Sequence, residues 1–248
     1  EMMAQQNQQQ QPASQDPQEQ SAQHVLRYCN GNGSVPFTSP PIPLEDLGFI
    51  SPKGAMTGHH VTPTDHGFIM SEKWEGGLRE ENVDKFADVL APANGIVMGV
   101  DQMPSVFSTS TLGDYHITIY YTCTFYTVFI HVNEISSKLR TIMETRTPTS
   151  VAAGEVIGRS PGFDFFVFNK EVTLTVVNPQ TYQGVESMLG SDDLFVHFQE
   201  PLKTQLLTKS LRKVQPYGGK MDYDVDGTIS GNWFVENTNG YVGLPEYN

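Results

Sequence analysis

The stretch YHITIYYTCTFYTVFIHV, residues 115–132, is β-branched or aromatic at most positions. Such side chains fit a pleated, half-buried surface, and here they alternate with period 2. Ile117, Ile119, Tyr121 and Cys123 fall on one face. The length suits two strands, so the segment predicts the pairing at the heart of a mostly β domain.

Upstream, VLAPANGIVMGV (89–100) places two short apolar runs around a Pro and an Asn-Gly turn, which predicts a hairpin. HGFIMSEKW (66–74) reads as a strand. Downstream, SSKLRTIMETR (136–146) reads as a short helix or turn. VAAGEVIGRS (151–160) reads as strand–Gly–strand, and FDFFVFNKEVTLTVV (163–177) has strong strand propensity throughout. Past NPQTY the character changes. DDLFVHF and EPLKTQLLTKSLRK predict one short and one longer helix, the latter with Pro201 near its start. Residues 215–248 predict β and turns.

The N-terminal side is different again. Residues 4–24 are rich in Gln and nearly free of apolar residues, so they bury too little to fold alone. They predict a tether whose natural holding partner is a neighbouring subunit, in a homo- or hetero-oligomer. GSVPFTSPPIPLEDL (33–47) holds four prolines and predicts an extended lead-in to the first core strand. The boundaries expected are 1–32 tether, 33–57 lead-in, 58–177 β domain and 178–248 helical and β appendage.

Composition narrows the function. The chain has 248 residues, 38% hydrophobic and 10% aromatic, enough for a real core. Its net charge of −13, with only 15 Lys and Arg, argues against a nucleic-acid or anionic-membrane partner. No run approaches the roughly 18–20 apolar residues of a membrane span. The chain opens on Glu1, so an upstream signal or anchor is expected, and LPEYN lacks a finishing strand, so continuation is expected too. Cys29 and Cys123 allow one disulfide, whose formation the sequence leaves open, and exclude a cysteine-rich zinc knuckle. Nucleophile-elbow, P-loop and dinucleotide-binding patterns are missing from the sequence. The 93–96 turn has no lysine for a carrier group. Asn32-Gly33-Ser34 is a formal glycosylation sequon, relevant only in a glycosylating compartment.

Four segments resemble the M23 (lysostaphin-like) metallopeptidase family. VLAPANGIVMGV is similar to its V-x-A-x-x-x-G-x-V strand pair. Phe129-Ile130-His131-Val132 resembles its y-x-H-l motif. VAAGEVIGRSPG resembles V-x-x-G-x-x-I-G-x-x-G, and FDFFVF falls where the family has H-x-H-F. The overlap runs from about residue 58 to 170. The resemblance implies a lysostaphin-like barrel-sandwich domain that works on or near the cell envelope. A looser likeness to a divergent group of secreted or envelope proteins lies in Pro63-Thr64-Asp65-His66, Asp164-Phe165 and Gly231-Asn232-Trp233-Phe234.

In the family, Zn²⁺ is held by His and Asp of H-x-x-x-D and the second His of H-x-H. Here His60-x-x-x-x-Asp65 is one residue too long, which a bulge would absorb. Gly162 replaces the first His of H-x-H and Asp164 the second. The metal ligands implied are His60, Asp65 or His66, and Asp164, with His131 as general acid/base. His59 and His60 are adjacent, so in a strand they face opposite ways, and His60 fits the family spacing better. Strand geometry would likewise turn His66 away from Asp65. His116 and His197 read as ordinary surface or core histidines.

Asp222, Asp224, Asp226 and Gly227 form D-x-D-x-D-G, the first half of a calcium loop, though Trp233 stands where its bidentate Glu belongs. The expected cofactors are therefore Zn and Ca. The function expected first is a non-catalytic, extracytoplasmic binding or assembly domain for a protein or cell-envelope polymer. Tyr and Phe of 115–129 would supply its exposed patch. The alternatives are a divergent zinc hydrolase of cell-envelope peptides and a structural subunit of a surface assembly held by its N-terminal tail.

Overall fold

A computed structural model describes residues 23–56, 62–73, 80–104, 112–238 and 240. Ten strands dominate: β1 (Leu47–Ser51), β2 (Gly67–Ser71), β3 (Ala87–Leu90), β4 (Gly95–Gln102), β5 (Tyr115–Tyr120), β6 (Phe125–Val132), β7 (Glu134–Ile135), β8 (Thr149–Val151), β9 (Val156–Ser160) and β10 (Gly162–Asn169). They form a seven-stranded sheet, β1-β2-β10-β6-β5-β4-β8, and a three-stranded sheet, β3-β9-β7, all antiparallel. Among the described residues they are accompanied by α1 (Ser137–Thr145), α2 (Leu194–His197) and α3 (Leu202–Lys209), besides a helical turn at residues 23–26. The Ser136 side chain caps α1 by accepting from the Leu139 N–H.

Residues 115–132 form the hairpin β5–β6, as their alternation predicts. Ile117, Ile119, Phe125 and Phe129 are fully buried, while their strand neighbours His116, Thr118 and Tyr126 are half-buried on the other face. β10 adds Phe163, Phe165 and Val167 to the inner face. Phe165 is registered opposite Phe129, with ring centroids 5.0 Å apart. Tyr and Phe of 115–129 are thus largely core, not the exposed patch expected of them.

The Asn-Gly turn at 94–95 does not close a hairpin. β3 pairs with β9 in the small sheet, and β4 pairs with β5 and β8 in the large one. The connection after β8 makes the same crossing beside it. Gly154 N–H donates to Ala91 O, Ala91 N–H to Glu155 O, and Ala153 N–H to Asn94 Oδ1. Gly154 has φ 78°, a backbone state that costs glycine little. The turn residues serve this double crossover, which local sequence signals cannot distinguish from a hairpin.

The segments read as lead-in and appendage share the main core. Phe37 is fully buried and touches Tyr121, Phe125, His197 and Phe198. Leu47 and Ile50 belong to β1, an edge strand contributed by the proline-rich part of the chain. Leu194, Phe195 and Leu206 come from α2 and α3. The outer edge of β1 is covered where Leu211 N–H donates to Ile50 O, which removes a free template for strand pairing. The strand predicted over 163–177 ends at Asn169, where the Asn169 side chain accepts from the Glu171 N–H and turns the chain. Beyond residue 214 the described residues contain turns and no strand, contrary to the β expected there. Their carboxylates and hydroxyls bond local backbone groups instead.

Cys29 and Cys123 form a disulfide across a sequence separation of 94 residues. It fastens the N-terminal stretch to the β5–β6 turn, beside bonds from Thr122 Oγ1 to Gly33 O and from Gly33 N–H to Thr124 Oγ1. Closing so long a loop restricts the unfolded chain strongly. Cys29→Ser/Cys123→Ser is expected to cost about 2–5 kcal/mol of stability, read as a lower urea midpoint with sheet signal retained. An unchanged midpoint would show the link to be energetically idle.

Candidate functional site

The site sits where β10 runs between β2 and β6. Asp164 is opposite Phe68 of β2 on one side and Ile130 of β6 on the other. It therefore reaches residues at the start of β2 and the end of β6. Asp65 and His66 precede β2 in a bend, not in a strand. Freed from alternation, they turn toward each other: His66 Nδ1 lies 2.8 Å from Asp65 Oδ1. The expectation that they face apart is corrected by this bend.

His131 lies near the end of β6 with φ 67°, in the left-handed region. For a residue other than glycine this costs roughly 1–3 kcal/mol and is typical of functional or tightly constrained positions. The β5–β6 register slips between Tyr115 and Ile117, opposite this point. The Ser160 hydroxyl sits among three acceptors there, Gly162 O at 2.6 Å, Asn133 Oδ1 at 2.9 Å and the His131 carbonyl at 3.1 Å, which share its one proton.

Together these residues form one chain of alternating carboxylates and imidazoles. Asp65 meets His66 Nδ1, and His66 Nε2 is 3.5 Å from Asp164 Oδ2. The same Asp164 oxygen is 3.6 Å from His131 Nε2, and His131 Nδ1 is 2.9 Å from Asp114 Oδ2. The Asp65, His66 and Asp114 side chains are buried, Asp164 nearly so, and His131 is 31% exposed. His131 is thus the group through which solvent meets the cluster.

Asp65, His66, Asp164 and His131, all picked out from sequence, come together. His60 lies outside the described residues. Asp114 is the member that sequence reasoning missed. Its signal is positional: it precedes β5, and the pairing of Tyr115 with Val132 brings it beside His131. At position 162 the chain offers no imidazole, and a Cβ there would lie 2.3 Å from Met70 Sδ.

The zinc expectation can be tested on these donors. Both outer imidazole nitrogens already meet carboxylates, as they do behind metal-bound histidines. Yet both inner ones address a single carboxylate oxygen, and among the described residues no group of three His, Cys, Asp or Glu is disposed to hold a metal ion. The described set alone does not fit a metal centre. Asp222, Asp224 and Asp226 do not converge either. Asp222 Oδ2 accepts from Thr175 N–H, and Asp224 accepts from Val177 and Asn232 N–H. His197 is a buried core histidine bonded to Asp192 at 3.0 Å.

Burial disfavours a charged His131. The hydrogen bond to Asp114 and the charges of Asp164 and Asp114 outweigh it and raise its pKa above the ordinary value of 6.5. A raised folded-state pKa stabilises the fold fully below the unfolded value, and that gain is lost as pH rises through the folded value. The urea midpoint should therefore fall as pH climbs above about 6.5. Asp114→Asn should return His131 toward its ordinary titration, followed by NMR of the imidazole, and should flatten this part of the stability profile. If the titration does not move, Asp114 is not the group that holds the His131 proton.

No protein-family model and no curated protein matches the chain. Solved structures similar to it include the following three. One is from the SpoIIQ–SpoIIIAH pore-forming complex, with 69% of this chain and 96% of that one covered, 11% identity and a TM-score of 0.43. The second is a zinc-containing peptidase from Vibrio cholerae, with 55% and 38% covered, 17% identity and a TM-score of 0.37. The third is lysostaphin, with 55% and 49% covered, 14% identity and a TM-score of 0.33. The chain spans less than half the length of the latter two. All three stand at wide divergence from this chain, whose mostly β architecture rests on its own ten strands among the described residues.

Proposed function

We propose that this chain is a non-catalytic, extracytoplasmic M23-like domain that works by binding in a cell-surface assembly. The observation that carries the reading is the closed cluster around Asp164. Its two imidazoles are hydrogen-bonded to carboxylates at Nδ1 and stand at ion-pair distance, 3.5 and 3.6 Å, from Asp164 at Nε2, and residue 162 supplies no further imidazole. A hydrolase needs an activated water and a group to stabilise the oxyanion. Here the carboxylates and imidazoles face one another in a single row. The disulfide supports an oxidising compartment. Docking through the 1–32 tail belongs to the same proposal, although residues 1–22 lie outside the described part.

A second reading is favoured by the carboxylates behind both histidines, an arrangement that orients metal ligands. It is a divergent zinc hydrolase of cell-envelope peptides, with His66 and Asp164 as donors, His60 completing the set, and His131 as acid/base. Zinc would supply a polarised water at neutral pH. One experiment separates the two. Protein purified without added metal is expected to carry well under one zinc per chain and to leave purified peptidoglycan and oligoglycine peptides uncut. About one zinc per chain, lost in His60→Ala/Asp164→Ala and accompanied by cleavage, would replace the first reading with the second.

A further inference from the structure

Residues 221–235 turn their polar groups inward and several large apolar ones outward. Asp224 ties two segments together: Oδ2 accepts from Val177 N–H at 3.0 Å, and Oδ1 from Asn232 N–H at 2.9 Å. The Asn232 amide donates to Tyr182 Oη and Met221 O, both at 3.0 Å. Phe234 packs edge-on against buried Tyr182 at 5.8 Å, in a small apolar cluster apart from the main core. Asn232 and Phe234 therefore face in, and Trp233 between them faces out.

Trp233 is 68% exposed, yet it is not loose, because its indole N–H donates to Ile229 O at 2.8 Å. Ile229 is 88% exposed, and Val225, Val235 and Val177 are exposed beside it. Trp233, Val225 and Val177 line a cavity of about 520 Å³. An exposed apolar group of this size, centred on a fixed Trp, has the make-up of a binding hot spot.

We propose that this face docks a basic, apolar segment of a partner protein, with Trp233 as the central anchor. Charge selects that occupant. From Met221 to the last residue the sequence contains no Lys or Arg. Asp226 and Glu236 are exposed, and neither has a cationic partner among the described residues. A second copy docked face to face would oppose these carboxylates to their own equivalents. An anionic membrane is repelled by the same groups and by the net charge of −13. The inference deepens the binding reading above by naming the surface and the chemistry of the partner.

Calorimetry on the full chain tests it with a 12-residue peptide of alternating Lys and Leu. A Glu/Leu peptide, a Lys/Ser peptide, a chito-oligosaccharide and phosphatidylserine vesicles serve as comparisons. Only the Lys/Leu peptide is expected to bind. Trp233→Ala should weaken it about tenfold or more while leaving the unfolding midpoint in place, because the side chain is exposed. Asp226→Asn/Glu236→Gln should weaken binding and reduce its salt dependence. Equal affinity for Trp233→Ala, equal binding of either control peptide, or no binding of the Lys/Leu peptide overturns the proposal. Binding of the sugar or the vesicles alone assigns the face to another ligand class and overturns it too. Zinc content and hydrolysis are independent of this titration, so either reading can fail without the other.

Discussion

The double pairing of β10 holds both the core and the site. On its inner face Phe163, Phe165 and Val167 close the core against Ile69 and Phe129. On its outer face Asp164 is set between an arm from β2 and an arm from β6. Because side chains alternate along a strand, a one-residue slip of β10 would exchange these faces. It would put a carboxylate among phenylalanines and an aromatic ring between the histidines. Burial of the Phe row therefore fixes where the Asp164 carboxylate stands, and the site inherits its geometry from hydrophobic packing.

That placement creates an electrostatic demand that the neighbours meet. A carboxylate nearly out of water is costly unless charge and hydrogen bonds compensate it. Two imidazoles approach Asp164, and each is backed by another carboxylate. The compensation runs in series from Asp65 to Asp114, so changing one member alters what the next one faces. The left-handed backbone of His131 belongs to the same balance. Its local cost is offset by bringing Nδ1 to Asp114 and Nε2 toward Asp164 at once. The two inner nitrogens stand 3.5 and 3.6 Å from one Asp164 oxygen, so the middle of the row is held by charge more than by hydrogen bonds.

Much of the fold was legible because the strongest patterns were local. Alternation in 115–132 and the strand character of 163–177 identified the central strands, although the second run ends at Asn169, and 136–146 read as a short helix or turn. What stayed hidden depended on distant partners. The Asn94-Gly95 turn looks like a hairpin until β9 is known to claim β3. Phe37, in a proline-rich run, reads as part of an extended lead-in until Phe125 and Phe198 close around it. The site divides in the same way. His131 and Asp164 were visible as remnants of a spaced motif. Asp114 has no motif, and only the β5–β6 register places it. The pairing of Asp65 with His66 contradicts a strand rule because the strand begins one residue later.

The D-x-D-x-D-G stretch shows how a chemical pattern can be diverted to architecture. Alternate carboxylates suit a cation when the loop curls around it. Here the loop instead lies against residues 175–177, whose backbone N–H groups lack a strand partner. Asp222 and Asp224 satisfy Thr175 and Val177, and Asp224 also bonds Asn232. Gly231, at φ 145°, has no room for a side chain, since a Cβ there would lie 3.0 Å from Asp224 Cα and Oδ1. An unsatisfied backbone donor costs more than a typical hydrogen bond gains, so these aspartates act first as structural acceptors. Their geometry then sets Phe234 inward and Trp233 outward. The acidic residues that resemble a metal loop in sequence thus hold up an apolar surface, and the same segment supplies its negative rim.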